Sequence, residues 1–270
     1  MGVLLEVAGL ARSTFFYHQA KQNRPDSQAG LKTAIAESFK RNRGRYGHRR
    51  IHTELTNTGL RVAKKTVLKL MRQQRLHCVV RRKKRYSSYR GQIGTTAANI
   101  LNRDFTSTAP NQKWVTDITE FRVGEDKLYL SPVMDLFDRQ IIAYRVGTSP
   151  NMDLVLGSLK DAASKLRHAE RPLVHSDQGF QYQHATWRKT ITQIQATPSM
   201  SRKGNCLDNA MIENFFGHLK EELFHHTTFP GIKTLETAIH DYMTWYNNER
   251  ISTTLNGLSP TKYRTQALTA

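Results

Sequence analysis

Cysteine is nearly absent: Cys78 and Cys206 are the only two in 270 residues, and they lie far apart. That excludes a disulfide framework and a zinc site built on a CxxC pair. No apolar run reaches the roughly 18 residues a membrane-spanning helix needs. Met1 to Leu10 is apolar but has neither a basic leader nor a cleavage site, so no signal peptide is expected and the expected location is cytoplasmic. Acidic residues are scarce in one half only. Residues 1–100 hold 22 Lys+Arg and 4 Asp+Glu, a net of +18, out of 41 and 22 in the whole chain; residues 101–270 therefore hold 19 and 18, a net of +1. A basic half beside a neutral half has somewhere to put a polyanion. Nucleic acid is the leading candidate, because counterion release drives such binding. An acidic membrane surface lacks support, since no amphipathic helix with a clean apolar face accompanies the charge.

The basic half reads as helices. LLEVAGLARSTFFYH joins a short apolar helix ending at Gly9 to a second one that Ser13 can cap, which fits either half of a helix-turn-helix or an ordinary capped pair. From residue 31, LKTAIAESFK (Leu31, Ile35, Phe39), RYGHRRIHTELTNTGL (Ile51 and Leu55 inward, Gly59 as stop) and AKKTVLKLMRQQRL (Val67, Leu68, Met71) predict three short helices with basic outer faces. That is the pattern of a trihelical DNA-binding module. Charge alone more often marks a solvated face. Here the cations between Arg41 and Lys65 are followed by RRKKR at 81–85, which favours phosphate contact. Residues 86–110, rich in Ser, Thr and Gly and without periodicity, read as a linker.

From Asn111 the texture changes. KWVTDITEF alternates, and KLYLSPVMDLF and QIIAYRVG read as two further strands joined by a turn at Asp138-Arg139. DLVLGSLKDAASKL is an amphipathic helix, PLVHSD a fourth strand, ATWRKTIT a short helix, IQATPSM a fifth strand and LDNAMIENFFGHLKEELF a long helix. The expected architecture is an α/β layer fold over 111–270.

Three acids stand where an element begins or ends. Asp117 lies inside the first strand, Asp177 ends the fourth, and Glu213 sits on the long helix with 35 residues between it and Asp177. At about 100° per residue, Met211, Ile212, Phe215, Phe216, Leu219 and Leu223 fall within an arc of roughly 140°, and Asn209, Glu213 and Lys220 within about 40° on its flank. Glu213 thus borders the buried face, whereas Glu221 and Glu222 read as solvated.

WVTD, HSDQG and NAMIENFFGHLKEEL resemble the DDE transposases and retroviral integrases. RYGHRRI, KKTVLKLM, WVTDITEF, HSDQGFQY, SRKGNCLDNAMIENFF and YNNERISTTLNGLSPTKY resemble the B-frame transposases of bacterial insertion sequences of the IS-three family, over about residues 1–265. The resemblance implies an RNase H-like catalytic core, a mixed five-stranded sheet flanked by helices, behind an all-α basic helix-turn-helix region. The implied parts are a partial helix-turn-helix at 1–30, a basic trihelical module at 31–85, the linker, and the core. It also implies Asp117, Asp177 and Glu213 as a catalytic, metal-binding triad, with Lys220 the basic residue often found after the glutamate. The implied reaction is divalent-metal-dependent DNA cleavage and strand transfer. Two Mg²⁺ (or Mn²⁺) ions per site are expected with DNA bound, because phosphoryl transfer uses hard cations held by carboxylate oxygens. The implied partners are the element's terminal inverted repeats and target DNA, a subunit from the upstream frame, and further copies of the chain, near the nucleoid. Expected DNA contacts are Arg45, Arg49, Arg50, Lys64, Lys65, Arg82, Lys83, Lys84, Arg202, Lys203 and Lys220.

Other residues carry two readings each. Asp135 is a strand acid, but Asp138 and Arg139 point to a turn or ion pair, and the family pattern has a non-catalytic acid there. His175 could order a water, contact DNA or be structural; Gln178 also flanks Asp177. Trp114 and Trp187 read as core. Ser201-Arg202-Lys203-Gly204 reads as a flexible loop touching phosphate, and DYMTWYNNERISTTLNGLSPTKY as a last helix and a tail. The competing functions are a non-catalytic DNA-binding regulator derived from a transposase, and an RNase H-type nuclease, which leaves the basic half unexplained.

Overall fold

A computed structural model describes residues 2–22, 26–78, 96–202 and 205–269. The chain divides into two compact units, Met1–Cys78 and Val79–Ala270. The first is helical: α1 (Gly2–Val7), α2 (Arg12–Gln22), α3 (Ala29–Arg41), α4 (His48–Asn57) and α5 (Lys64–Gln73). Gly9, at φ 60°, turns the chain between α1 and α2; α2 starts at Arg12, so Ser13 lies in its first turn and not before it. α3, α4 and α5 bury Ile35, Ile51, Leu55, Val67, Leu70 and Met71 with Tyr46 from the α3–α4 turn. Leu70 takes the inward position expected of Leu68. One carboxylate pins two of these helices: Glu54 on α4 accepts from Ser38 Oγ and an Arg41 guanidinium nitrogen, both at 2.5 Å, and from Asn42 Nδ2 at 3.1 Å. The stop after α4 is the expected one. Gly59 (φ 88°) lets the Leu60 N–H return to the Leu55 carbonyl at 2.9 Å.

The second unit is built on a mixed sheet. Its strands are β1 (Lys113–Thr116), β2 (Thr119–Val123), β3 (Asp126–Asp135), β4 (Ile141–Gly147), β5 (Leu173–Ser176) and β6 (Thr197–Met200). β1 and β2 are halves of one interrupted strand. Thr116 pairs Val133 and Thr119 pairs Leu130 in the same antiparallel register, which sets Asp117 opposite Pro132. Proline has no N–H to give a ladder, so the strand breaks there, and Thr116 Oγ1 donates to the Pro132 carbonyl at 2.8 Å. Counted this way the sheet has five strands, β4–β3–β1/β2–β5–β6, with β1, β5 and β6 parallel and the rest antiparallel.

Alternation along β1 and β3 feeds a core on each face. Trp114 and Val133 point to one layer, with α6 (Met152–Ala163) and α8 (Ala185–Gln193), where Leu159, Trp187 and Ile191 are buried. Val115 and Met134 point to the other, packed by Phe215 and Leu219 of α9 (Ala210–Leu219) and by Ile239 and Tyr242 of α10 (Ile232–Asn248). Trp114 and Trp187 are core, as expected. A short helix α7 (Phe180–Gln183) precedes α8, and α11 (Pro260–Thr269) forms where a tail was expected. Arg264 on α11 bonds to the buried Asp135 (2.6 Å) and Asp138. Asp135 is therefore a structural ion-pair member, and its partner is Arg264, not the neighbouring Arg139. Residues 96–110 are packed against the sheet edge where a linker was expected: Leu101 is buried, and the N–H groups of Ile100 and Leu101 both donate to Ser199 Oγ at 3.0 Å.

Candidate active site

Register brings two acids together. β1 and β5 pair in parallel with Trp114 opposite Val174 and Val115 opposite His175. Continued two residues, that register sets Asp117 beside Asp177 where both strands end, and adjacent strands lie about 4.8 Å apart. Both carboxylates are half-buried. Each is oriented by a local backbone donor: Asp117 Oδ1 accepts from Ile118 N at 2.7 Å, and Asp177 Oδ1 from Gly179 N at 2.8 Å. A Cβ at Gly179 would stand 2.9 Å from Asp177 Oδ1, so any side chain there would push the carboxylate aside. Among the described residues the second oxygen of each aspartate accepts no protein hydrogen bond.

The third acid arrives on the helix that covers this face. Alternation puts Asp117 on the same side of the sheet as Val115, the side of α9, where Glu213 occupies the first turn. Burial chiefly, then the charge of Asp177 and that of Glu213, holds the Asp117 carboxyl well above the ordinary carboxylate range; the Ile118 N–H and Lys220 oppose this. Burial raises Asp177 too, against the Gly179 N–H. Lys220 Nζ lies 5.4 Å from the centroid of the Phe121 ring. Beyond Leu219 the helix changes pitch: Lys220–Phe224 is a π-helical turn, with the His225 N–H on the Lys220 carbonyl at 2.8 Å. Glu222 lies about 20° from Met211 on the helical wheel, inside the apolar arc, and the structure overturns its solvated reading. That side chain is buried and bonds to Arg250 (2.9 and 2.8 Å) and to the Tyr242 hydroxyl (2.8 Å).

Behind Asp177 the polar groups are structural. His175 is fully buried between Ser199 Oγ (2.9 Å) and Ser201 Oγ (3.0 Å), so it does not contact DNA. Ser199 already accepts two N–H bonds, so its hydroxyl donates to His175 Nδ1, and the ring's proton sits on Nε2. Burial lowers this histidine's pKa to about 4. Gln178 Nε2 donates to the Ser201 carbonyl at 2.9 Å, tying the residue after Asp177 to the loop before α9. That loop is anchored by Asp208, a fully buried acid that accepts from Asn99, Arg103 and Arg202. Neither Gly179 nor Asp208 was assigned a site role from sequence, although both lie inside quoted motifs; their roles depend on contacts that spacing does not reveal.

The expected DNA contacts divide. Arg49, Lys64 and Lys65 are exposed, and Arg50 is half-buried with its guanidinium over the Tyr46 ring. Arg45 is buried at 9% exposure, so packing in the α3–α4 turn corrects its reading as a surface contact. Arg202 is half-exposed but bonded to Asp208. Arg82, Lys83, Lys84 and Lys203 lie outside the described residues.

Among the described residues no three His, Cys, Asp or Glu side chains close into a ready-made metal cage. The donor set nonetheless fits a hard cation that takes few protein ligands and keeps water or phosphate oxygens. Two aspartates keep an uncommitted oxygen each. Asn209, one turn before Glu213, is buried with neither amide atom paired, an arrangement that costs about 1–3 kcal/mol unless a ligand relieves it.

Comparison with known proteins agrees with this architecture. The HTH-like domain family matches residues 25–84, and two Integrase core domain families match 107–206 and 213–268. The chain is 46% identical over 263 residues to the InsK transposase of insertion sequence element IS150 from Escherichia coli K12, covering 97% of this chain and 93% of that one. It is 43% identical to a transposase of IS1353 from Shigella flexneri over 94% of its own length but only 50% of the relative's. To transposase InsF of IS3A from E. coli K12 it is 33% identical, covering 87% and 82%. The chain belongs to the IS3 family of insertion-sequence transposases, proteins of the DDE superfamily with an integrase core.

Proposed function

We propose that this transposase cleaves and joins DNA by divalent-metal-dependent phosphoryl transfer, with Asp117, Asp177 and Glu213 as its catalytic and metal-binding residues. The observation that carries the reading is the strand register that sets Asp117 beside Asp177, on the face covered by the helix bearing Glu213. When bound, Mg²⁺ or Mn²⁺, two ions with DNA present, supplies charge stabilisation for the attacking and leaving oxygens of an in-line displacement. The chain's own part is positioning. The uncommitted oxygens of Asp117 and Asp177 face the bound phosphate, and the Ile118 and Gly179 N–H groups stop both carboxylates from rotating away. Glu213 closes the site from α9, and Lys220 balances the acidic cluster. No side-chain nucleophile is required, because water attacks in cleavage and the freed 3′ hydroxyl attacks in joining.

The same proposal assigns Arg49, Arg50, Lys64 and Lys65 to phosphates of the element's terminal repeats. It includes an upstream-frame subunit and a multimer that holds two ends together. A relative twice as long as the matched region is consistent with a further fused segment.

The test is cleavage and joining of a labelled duplex carrying the element's own ends, in Mg²⁺ or Mn²⁺ and with any upstream-frame protein, by the parent chain and by Glu213→Gln. Metal-dependent nicking that the variant loses while still binding DNA is expected. Equal nicking by both removes Glu213 from the site, and binding without nicking in any metal leaves a DNA-binding regulator.

A further inference from the structure

We infer that Arg103 and Arg202 form a phosphate clamp beside the carboxylate site, taking a backbone phosphate of the bound DNA; the identity of that polyanion rests on the transposase reading above. The clamp is organised by Asp208, which has no exposure of its own. Arg202 grips it through Nε at 2.9 Å, Nη2 at 2.8 Å and its backbone N–H at 3.0 Å. Arg103 adds Nε at 2.8 Å, and Asn99 Nδ2 completes the set at 2.9 Å. Five donors fill the carboxylate.

One carboxylate neutralises one guanidinium, so the cluster keeps a formal excess of one positive charge. That excess faces water: the Arg103 and Arg202 side chains are 41% and 52% exposed. Arg202 commits Nε and Nη2 to Asp208, and Arg103 commits Nε to Asp208 and Nη2 to Asn205 Oδ1 at 2.9 Å. Among the described residues neither Nη1 has a protein partner. Two fixed, half-exposed guanidiniums with free N–H edges match the oxygens of a phosphate, which arginine recognises by planar geometry as well as charge. Anchoring the loop would need only one of them.

Placement agrees with this role. Arg202 follows Ser201, whose carbonyl holds Gln178, the neighbour of Asp177. Arg103 is brought there at a conformational cost, because Asn102 and Arg103 are consecutive non-glycine residues with φ of 44° and 62°. Such backbone persists only where the surrounding contacts fix it.

The experiment is equilibrium binding of a fluorescein-labelled 30-base-pair duplex by the full chain across a KCl series, for the parent, Arg103→Gln, Arg103→Lys and Asp177→Asn, with melting recorded for each. Arg103→Gln is expected to weaken binding several-fold and to lower the slope of log affinity against log salt by about one; Arg103→Lys keeps the slope. Unchanged affinity and slope in Arg103→Gln would overturn the clamp. If Arg103→Gln also melts lower, Arg103→Lys decides: a retained slope supports the clamp, and a loss as large as that of Arg103→Gln overturns it. Cleavage by Asp177→Asn tests the carboxylate reading separately, so either idea can fail without the other.

Discussion

A missing methyl group sets the position of Asp177. A Cβ at residue 179 would meet the carboxylate at 2.9 Å while the backbone there is ordinary, with φ −58°. The requirement for glycine is thus steric and local to the carboxylate. Gly179→Ala is predicted to melt within about 1 kcal/mol of the parent and to lose roughly 100-fold in strand cleavage, the scale of an ångström-sized misplacement. Asp208 behaves differently. Hydrogen bonds from Arg202 first, then Arg103, hold its carboxyl below the ordinary range. A depressed folded pKa adds stability above the unfolded value of about 4, and that stability is lost as pH falls below it. Melting of the parent between pH 6 and 3 is therefore predicted to fall more steeply than that of Asp208→Asn. The sequence pattern marked Asp117 and Asp177 within or at the end of apolar strands and Glu213 on the flank of an apolar arc, while their proposed role came from the family resemblance. Gly179 and Asp208 were not legible, since their reasons are a contact across two residues and a buried cluster reaching back to Asn99.

Periodicity served the elements as long as their geometry stayed regular. It placed Leu219 and the phenylalanines of α9 correctly, and it also puts Glu222 about 20° from Met211, inside the apolar arc; the solvated reading of that glutamate went by its charge, and its side chain is buried. The resulting pair with Arg250 is buried on both sides, at 6% and 7% side-chain exposure. Arg250→Met strands Glu222 in the core and is predicted to cost about 3–5 kcal/mol in denaturant unfolding; a loss under 1 kcal/mol would show that the pair is not buried in solution. In the first strand the alternation of WVTDITEF predicted a continuous element. The break at Asp117 was hidden because its cause, Pro132, sits on the neighbouring strand. That break leaves Asp117 outside the ladder, at the point where the register of β5 delivers Asp177.

The whole chain separates charge from chemistry. The excess of cations lies in residues 1–100, while all three proposed catalytic acids lie in the neutral remainder. This division was legible from residue counts, but which cations are exposed was not: Arg45 is buried, whereas Lys64 and Lys65 stand out on α5. Lys64→Gln with Lys65→Gln is predicted to lower the salt slope of DNA binding by about two without changing melting. An unchanged slope would remove α5 from the interface. The central claim is that Asp117, Asp177 and Glu213 act as one site, and residues that act as a unit are not additive. The measurement is metal-dependent nicking of the element's own end by Asp117→Asn, Asp177→Asn, Glu213→Gln and the Asp177→Asn/Glu213→Gln double variant, each shown to bind the duplex. The account predicts that every single variant falls to background and that the double variant is no worse. A single variant that binds DNA and nicks at the parental rate would contradict it.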